Sequence, residues 1–304
     1  MRLRYDTLDV FTQTRFGGNQ LAVVHDADAL SHDRMQAIAR EFDYSETVFL
    51  LKPETPDGTA RMRIFTPGME LPFAGHPIVG TAVLLAIAGQ GTGADGDGTE
   101  AVRLEVPVGT VTVHVAAGGD ECRVARFAAP RLPVPAEPPP DPGALADALG
   151  IGVETIGFGA HVPRAFEAGV AFNYVPVASC EVLSRCRVVQ PAWNTAFSGG
   201  TSANAFVYCR GEEGDEVAFH ARMFAPAMGV DEDPATGAAA VAFAGQIAAS
   251  QELADGAHGI EIEQGRDMGR PSRLHLDMDM AGSALAAAHL GGGAIRVCEG
   301  TMTV

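Results

Sequence analysis

Three ionisable side chains, Glu46, His76 and Asp233, stand where this chain could arrange proton chemistry. His76 and Asp233 are each followed by proline, with a glycine three residues beyond it: His76-Pro77-Ile78-Val79-Gly80 and Asp233-Pro234-Ala235-Thr236-Gly237. Upstream of each stands the same spaced set, Arg63, Phe65, Pro67, Met69 in one copy and Arg222, Phe224, Pro226, Met228 in the other. The leading residues lie 159 positions apart and the Pro-x-x-Gly pairs 157 apart, so two similar segments recur at about half the chain length. Both run into apolar stretches that read as helices with proline at the first position, where a missing N–H is harmless. The pattern predicts two similar halves, each aiming a helix N-terminus and a polar side chain at the seam between them.

Proton removal beside an unsaturated or carbonyl system needs a base, a donor that returns the proton, and fixed dipoles that stabilise the developing negative charge. Glu46, His76 and Asp233 are candidates for the first two roles. Helix N-termini supply the third and would also hold a substrate carboxylate, with Gly75 and Gly237 allowing close approach of the backbone. Each residue has an ordinary explanation as well: Asp-Pro is a common capping arrangement, Glu46 could be solvated at a strand edge, and His76 could be satisfied in a loop. The repeat favours chemistry, because capping does not require two halves to converge. No cysteine lies near either helix start, so carboxylate and imidazole take the place of thiol bases. The nine histidines lack metal-ligand spacing, and there is neither a nucleophile-elbow serine nor a His-Glu-x-x-His pattern. Gly91 to Gly96 has dinucleotide-type glycine spacing but follows a helix instead of a strand and reads as a glycine-rich loop. Asp95, Asp97 and Glu100 read as an acidic turn with an incomplete calcium pattern.

The positioning elements follow from periodicity. Arg2 to Phe11 alternates as a strand, Arg15 to Asn19 turns the chain, and Leu21 to Val24 returns as the second arm of a hairpin. Ser31 caps a helix with Met35, Ile38, Ala39 and Phe42 on one stripe, after which Thr47–Leu51 and Thr59–Phe65 read as strands. The helix expected to start near His76 is apolar on every side, as is the second from Pro234 to Ala249, so each must be enclosed by strands. The proline-rich stretch from Ala128 to Pro142 is the best linker, giving lobes of 1–130, which 290–304 could complete, and 140–289. Asp141-Pro142 opens a short helix ending at Gly150, and further strands are expected at 171–177, 205–209, 217–224, 260–264, 274–278 and 294–297.

The chain has 304 residues, 47% hydrophobic and 19% charged, enough to bury a large core. Its net charge of −17 argues against nucleic acid or an anionic membrane as partner. An odd five cysteines without zinc spacing read as buried thiols of a reducing compartment. With no signal-peptide pattern and no stretch long enough to span a bilayer, the expected location is cytoplasmic.

These residues resemble one family. Asp9-Val10-Phe11-Thr12, Phe16-Gly17-Gly18-Asn19, Ser45-Glu46-Thr47, Arg63 to Pro67, Glu70 to Pro77, Glu232 to Gly237, Glu263-Gln264-Gly265 and Met268 to Ser272 are together similar to the phenazine-biosynthesis PhzF-like isomerases. The resemblance implies an α+β fold of the diaminopimelate epimerase type, with two pseudo-symmetric domains, each a curved, mostly antiparallel sheet wrapped around a central helix. It further implies a homodimer and isomerisation without a cofactor. In phenazine-pathway members the glutamate of Ser-Glu-Thr moves a proton on dihydro-hydroxyanthranilate, and that position here is Glu46. His76 and Asp233 match the other catalytic positions. Substrate contacts would fall on Ser45, Gly75, Gly237 and Ala238, with Asn19 counted among them. The chain departs from the family pattern at Ala238, where serine is common, and at Tyr44, where a small aliphatic residue is usual. The expectation is an isomerase of a small carboxylated metabolite, the alternatives being an inactive binding or scaffold protein of the same fold and an amino-acid epimerase using Glu46 and Asp233 as two bases.

Overall fold

The computed structural model describes residues 1–94, 98–116, 121–199 and 202–304; Asp95, Gly96 and Asp97 of the glycine-rich and acidic turn lie outside the described residues. The chain is mostly sheet with few helices, and it divides into two compact units. One comprises Met1–Pro130, Arg270–Arg273 and Leu290–Val304, the other Arg131–Gly269 and Leu274–His289.

In the first unit, strands β1 (Arg2–Val10) and β2 (Asn19–Val24) form the expected antiparallel hairpin. Helix α1 (His32–Phe42) follows, with the Ser31 side chain accepting from Arg34 N–H, and leads into β3 (Glu46–Leu51), which pairs parallel with β2. Strands β4 (Ala60–Phe65) and β5 (Glu70–Leu71) then add antiparallel neighbours in turn. Side-chain alternation divides the two faces of this sheet. Val24, Phe49, Leu51 and Phe65 pack with Met35, Ile38 and Ala39 of α1. The opposite face meets helix α2 (Gly75–Ile87), twelve of whose thirteen residues are buried. Strands β7 (Glu100–Val106), β8 (Gly109–Val115) and β9 (Cys122–Ala128) also touch α2, so the helix has strands on more than one side, as its lack of a polar face demands. The short β6 (Thr92–Ala94) pairs with β7 where a loop was expected. At Gly80 the helix lies so close to the sheet that a Cβ would come within 2.6 Å of Leu21 and 2.7 Å of Val10.

The second unit opens with β10 (Val134–Pro135), which pairs with β11 (Arg164–Glu167), so two residues of the proline-rich stretch belong to the sheet. Helix α3 (Pro142–Leu149) is capped by Asp141 and ends at Gly150, whose positive φ suits glycine. Strand β12 (Ala171–Pro176) pairs antiparallel with β11. Helices α4 (Cys180–Arg185) and α5 (Ala192–Ala196) come next, before β13 (Ala205–Arg210) joins β12 in parallel. Strands β14 (Phe219–Ala225) and β15 (Val230–Asp233) follow in antiparallel order. This is the order of pairings seen from β1 to β5. Helix α6 (Gly237–Ala249) is the counterpart of α2, and β16 (Gly256–Gln264) pairs parallel with β14 as β7 does with β4. The sequence ends in β17 (Ser272–Ala281) and the twenty-residue β18 (Ala284–Thr303), which pairs with β1.

One face of the second sheet, through Val175, Val207, Cys209 and Phe224, packs on α3, α4 and α5. The other gathers aromatic rings around Phe243 of α6, with Tyr208 at 4.6 Å, Phe219 at 5.2 Å, Phe206 at 5.3 Å and Tyr174 at 5.5 Å between centroids. Buried Gln246 of α6 donates to the Tyr208 hydroxyl at 2.7 Å and to Val162 O at 3.0 Å, and that hydroxyl lies 2.8 Å from His161 Nδ1.

All five cysteines are free, but only Cys186 and Cys209 are buried; Cys122 and Cys180 are half-buried and Cys298 is exposed. Burial of every thiol was therefore too simple an expectation. No helix among the described residues is long and apolar enough to cross a membrane.

Two outcomes test this packing. Gly80→Val should destabilise the protein by about 2 kcal/mol in urea unfolding, because two buried side chains must move to admit it. Burial lowers the pKa of His161 from its ordinary 6.5, against the opposing pull of Glu252. Between that lowered value and 6.5 the unfolded chain binds more protons than the native one, so stability falls as pH drops through this window. His161→Gln should lessen the loss of stability measured between about pH 7.5 and about pH 5.5.

Candidate active site

In the first unit, alternation decides which side chains meet. Glu46, Val48 and Leu50 of β3 point away from the α1 face that Phe49 and Leu51 occupy, toward α2. Asn19 and Leu21 of β2 do the same, and Leu21 lies beside Glu46 in the parallel register. His76 is the second residue of α2. Its Nδ1 lies 3.0 Å from Glu46 Oε2 and 3.4 Å from Asn19 Nδ2, and the two charged-type side chains are only 3% and 14% exposed. An asparagine N–H can only donate, so Nδ1 accepts the Asn19 hydrogen bond in the neutral ring, and Glu46 Oε2 stands at ion-pair distance from the same nitrogen. Ser45, half-buried, directly precedes this pair.

Asn19 is placed by the turn before it. Arg270 donates from Nε to Gly18 O at 2.8 Å, and from Nη2 to Gly17 O at 2.7 Å and to buried Asp9 at 2.5 Å. Asp9 also accepts from Phe16 N–H at 2.6 Å. Gly18 has φ of +62°, and a Cβ there would sit 2.3 Å from Val10 O, so this position requires glycine. Beside it, burial, then the nearby Cys298 and Asp9, raise the pKa of Tyr44 and keep it a neutral phenol.

In the second unit, Asp233 closes β15 and is buried. Its Oδ2 accepts from Thr236 Oγ1 at 2.5 Å, and its backbone carbonyl accepts from Gln264 Nε2 at 2.7 Å. Gln264 is fully buried; its Oε1 takes the Thr236 N–H at 3.0 Å while its Nε2 reaches Thr236 Oγ1 at 3.1 Å. Neighbouring Glu263 lies 2.9 Å from His220 and 2.6 Å from Arg266.

The first helix starts next to His76 as expected, whereas the contacts of Gln264 correct the start expected for the second. Helix α2 begins at Gly75, with Pro77 third, a position whose N–H is also spare in the first turn. Helix α6 begins at Gly237 instead of Pro234, because Gln264 holds residues 233–236 in non-helical form by taking up their backbone groups. The true equivalence is Gly75 with Gly237, 162 positions apart, which pairs His76 with Ala238 and leaves Asp233 outside the helix. The Pro-x-x-Gly match misaligned the halves. Asp233 is consequently no helix cap, and the capping explanation for it falls.

The arginines of the repeat do correspond. Arg63 forms a two-pronged pair with Glu70, both contacts at 2.7 Å, and Arg222 forms one with Glu232 at 2.8 and 2.7 Å; each guanidinium also lies over the phenylalanine two residues on. Glu70 and Glu232 are 162 apart, in register with the helix starts. Sequence reading picked out both arginines but not their partners, nor the bonding of Gln264 and Arg270, although all lie in the quoted motifs.

Helices α1, α3 and α4 carry side-chain caps, from Ser31, Asp141 and Ser179, whereas α2 and α6 have none and no acidic residue in the first turn. Their leading N–H groups, including those of Gly75, Gly237 and Ala238, have no partner within the helix and carry the positive end of its dipole, a setting suited to a carboxylate. Among the described residues, no cluster of three or more histidine, cysteine or acidic side chains could hold a metal ion.

Comparison with known proteins gives a consistent result. The family model described as phenazine biosynthesis-like protein matches residues 8–300. An uncharacterised isomerase of Mesorhizobium japonicum is 43% identical over 99% of this chain and 98% of its own. The trans-2,3-dihydro-3-hydroxyanthranilate isomerase of Pseudomonas aeruginosa is 36% identical over 98% of each chain. A crystal structure of the Bacillus anthracis phenazine biosynthesis protein of the PhzF family has the same fold, with a TM-score of 0.84 over 100% of both chains at 23% identity.

Gln264→Leu should cost about 2–4 kcal/mol in urea unfolding, since it strands the buried carbonyl of Asp233 and the N–H of Thr236. A cost within about 0.5 kcal/mol would mean that the loop is held by other means.

Proposed function

This chain belongs to the phenazine biosynthesis-like family, and on that premise we propose that it is an isomerase that shifts a proton on a small carboxylated metabolite by acid–base catalysis without a cofactor. The observation that carries the reading is the secluded Glu46–His76 pair at the uncapped start of α2. Glu46 takes a proton from a substrate carbon: the C–H bond breaks, its electron pair moves into the adjoining unsaturated system, and the carboxyl group then returns the proton at another carbon. His76, protonated and 3.0 Å away, offsets the charge of the carboxylate, and a substrate carboxylate is drawn to the N–H groups at helix starts. Asp233, buried and held by Thr236, is the second carboxylate assigned to the substrate, together with the N-terminus of α6 at Gly237 and Ala238.

The recurring order of pairings and the two buried thirteen-residue helices support the finer architecture, two pseudo-symmetric lobes each with a mostly antiparallel sheet curved around a central helix. A homodimer acting in the cytoplasm belongs to the same reading.

Isosteric Glu46→Gln should preserve folding and ligand-induced thermal stabilisation. It should lower turnover, and the exchange of substrate hydrogen with deuterated solvent, by about 10³-fold. The trans-2,3-dihydro-3-hydroxyanthranilate used by the Pseudomonas aeruginosa relative is the first substrate to assay. Full turnover by the variant would remove Glu46 from the mechanism, and ligand binding by the wild type without solvent exchange would identify a binding protein instead.

A further inference from the structure

The second unit brings two thiols together that the sequence separates by 29 positions. Cys209 lies on β13 between Tyr208 and Arg210, on the side that Ala205 and Val207 direct at the outer helices, and Cys180 is the first residue of α4 on that side. Their sulfur atoms are 2.8 Å apart, and the Cys180 sulfur also lies 3.7 Å from Arg210 O. Cys180 is half-buried and Cys209 is sealed from solvent. The third thiol of this cluster, Cys186, instead donates to Val182 O at 3.4 Å, and burial pushes its pKa up to about 11.

We propose that Cys180 and Cys209 form a reversible dithiol–disulfide couple that is oxidised by small hydroperoxides. Cys180 is the residue that a peroxide can reach. Its thiolate attacks the terminal oxygen, an S–O bond forms, the O–O bond breaks, and the departing alkoxide or hydroxide takes up a proton. The Cys209 sulfur then attacks the sulfenic sulfur of Cys180: the S–S bond forms, the S–O bond breaks, and water leaves with the Cys209 proton. Two thiols lose two electrons, and the peroxide is reduced to an alcohol or water, plus one water. Closing the gap to a bond length of about 2.05 Å requires a sulfur displacement of about 0.8 Å, within reach of small side-chain rotations. Burial, then the neighbouring Cys180, hold the Cys209 thiol far above its ordinary pKa, so it stays protonated until an electrophilic sulfur is in contact. A disulfide here would staple α4 to β13. The carbonyls of Leu183, Ser184 and Cys186 in and just after α4 receive Arg222 Nη1 at 3.1, 3.1 and 2.8 Å, and Arg222 grips Glu232 beside Asp233, so the staple would fasten the support of that carboxylate.

The test treats the full-length reduced protein with hydrogen peroxide, quenches it in acid, and alkylates every remaining thiol after denaturation. Mass spectrometry should find two of the five thiols blocked, a peptide joining Cys180 to Cys209, and a mass loss of about 2 Da that dithiothreitol reverses. Oxidised wild type should melt a few degrees higher than reduced protein, and Cys180→Ser should show no such difference. In Cys209→Ser the reaction should stop at a Cys180 sulfenic acid that dimedone traps. The proposal is overturned if Cys180 passes to sulfinic acid while Cys209 remains alkylable, if a different pair becomes linked, or if all five thiols survive peroxide that oxidises free cysteine. None of these readouts depends on isomerase activity.

Discussion

Helix α2 has no side that water could wet, and that single constraint organises the first unit. With Ile78, Val79, Ala82, Val83, Leu84 and Leu85 distributed around its circumference, the helix is stable only where strands cover it. The covering strands must then offer it their apolar face, which fixes the alternation of β2 and β3. Glu46 and Asn19 fall on that same face because of their parity with Val48 and Leu21. The polar site is therefore placed by the packing of apolar neighbours. Reversing the parity of β3 by one residue would turn Glu46 away and put Thr47 in its place.

The second unit solves the same problem with different chemistry at the helix start. Its helix α6 is also apolar, built largely of alanine, and an aromatic cluster around Phe243 fills the space that larger aliphatic side chains occupy around α2. Its ionisable residue, Asp233, closes β15, the counterpart of β5 and not of β3, precedes the helix by four positions and is held by a glutamine from another strand. The two units share the arginine–glutamate clamp that ties β4 to β5 and β14 to β15. They diverge just beyond it, where each positions its own ionisable group.

Local pattern made much of this legible. The β1–β2 hairpin, the Ser31 cap with its stripe of Met35, Ile38 and Ala39, and the helix between Asp141 and Gly150 each depend on residues close in sequence, where spacing and cap chemistry speak directly. The nearness of Glu46 to His76 was not readable from spacing; it entered through the family's motifs. What stayed hidden was carried by distant partners. Nothing around Thr236 announces that residue 264 will occupy its N–H and delay the helix, so a fortuitous Pro-x-x-Gly match set the wrong register. Cys180 and Cys209 likewise look unrelated until parallel pairing of β12 with β13 brings α4 over the second of them.

The grip of Arg270 on the Gly17–Gly18 turn has a consequence for biosynthesis. The guanidinium that captures the carbonyls setting the direction of the chain into Asn19 emerges some 250 residues after them in translation. At about 5–20 residues per second, the ribosome leaves this corner waiting for tens of seconds or so. Nascent chains therefore carry the Gly17–Gly18 turn without its guanidinium clamp until Arg270 has emerged, and the setting of Asn19 is completed by a segment made long after it.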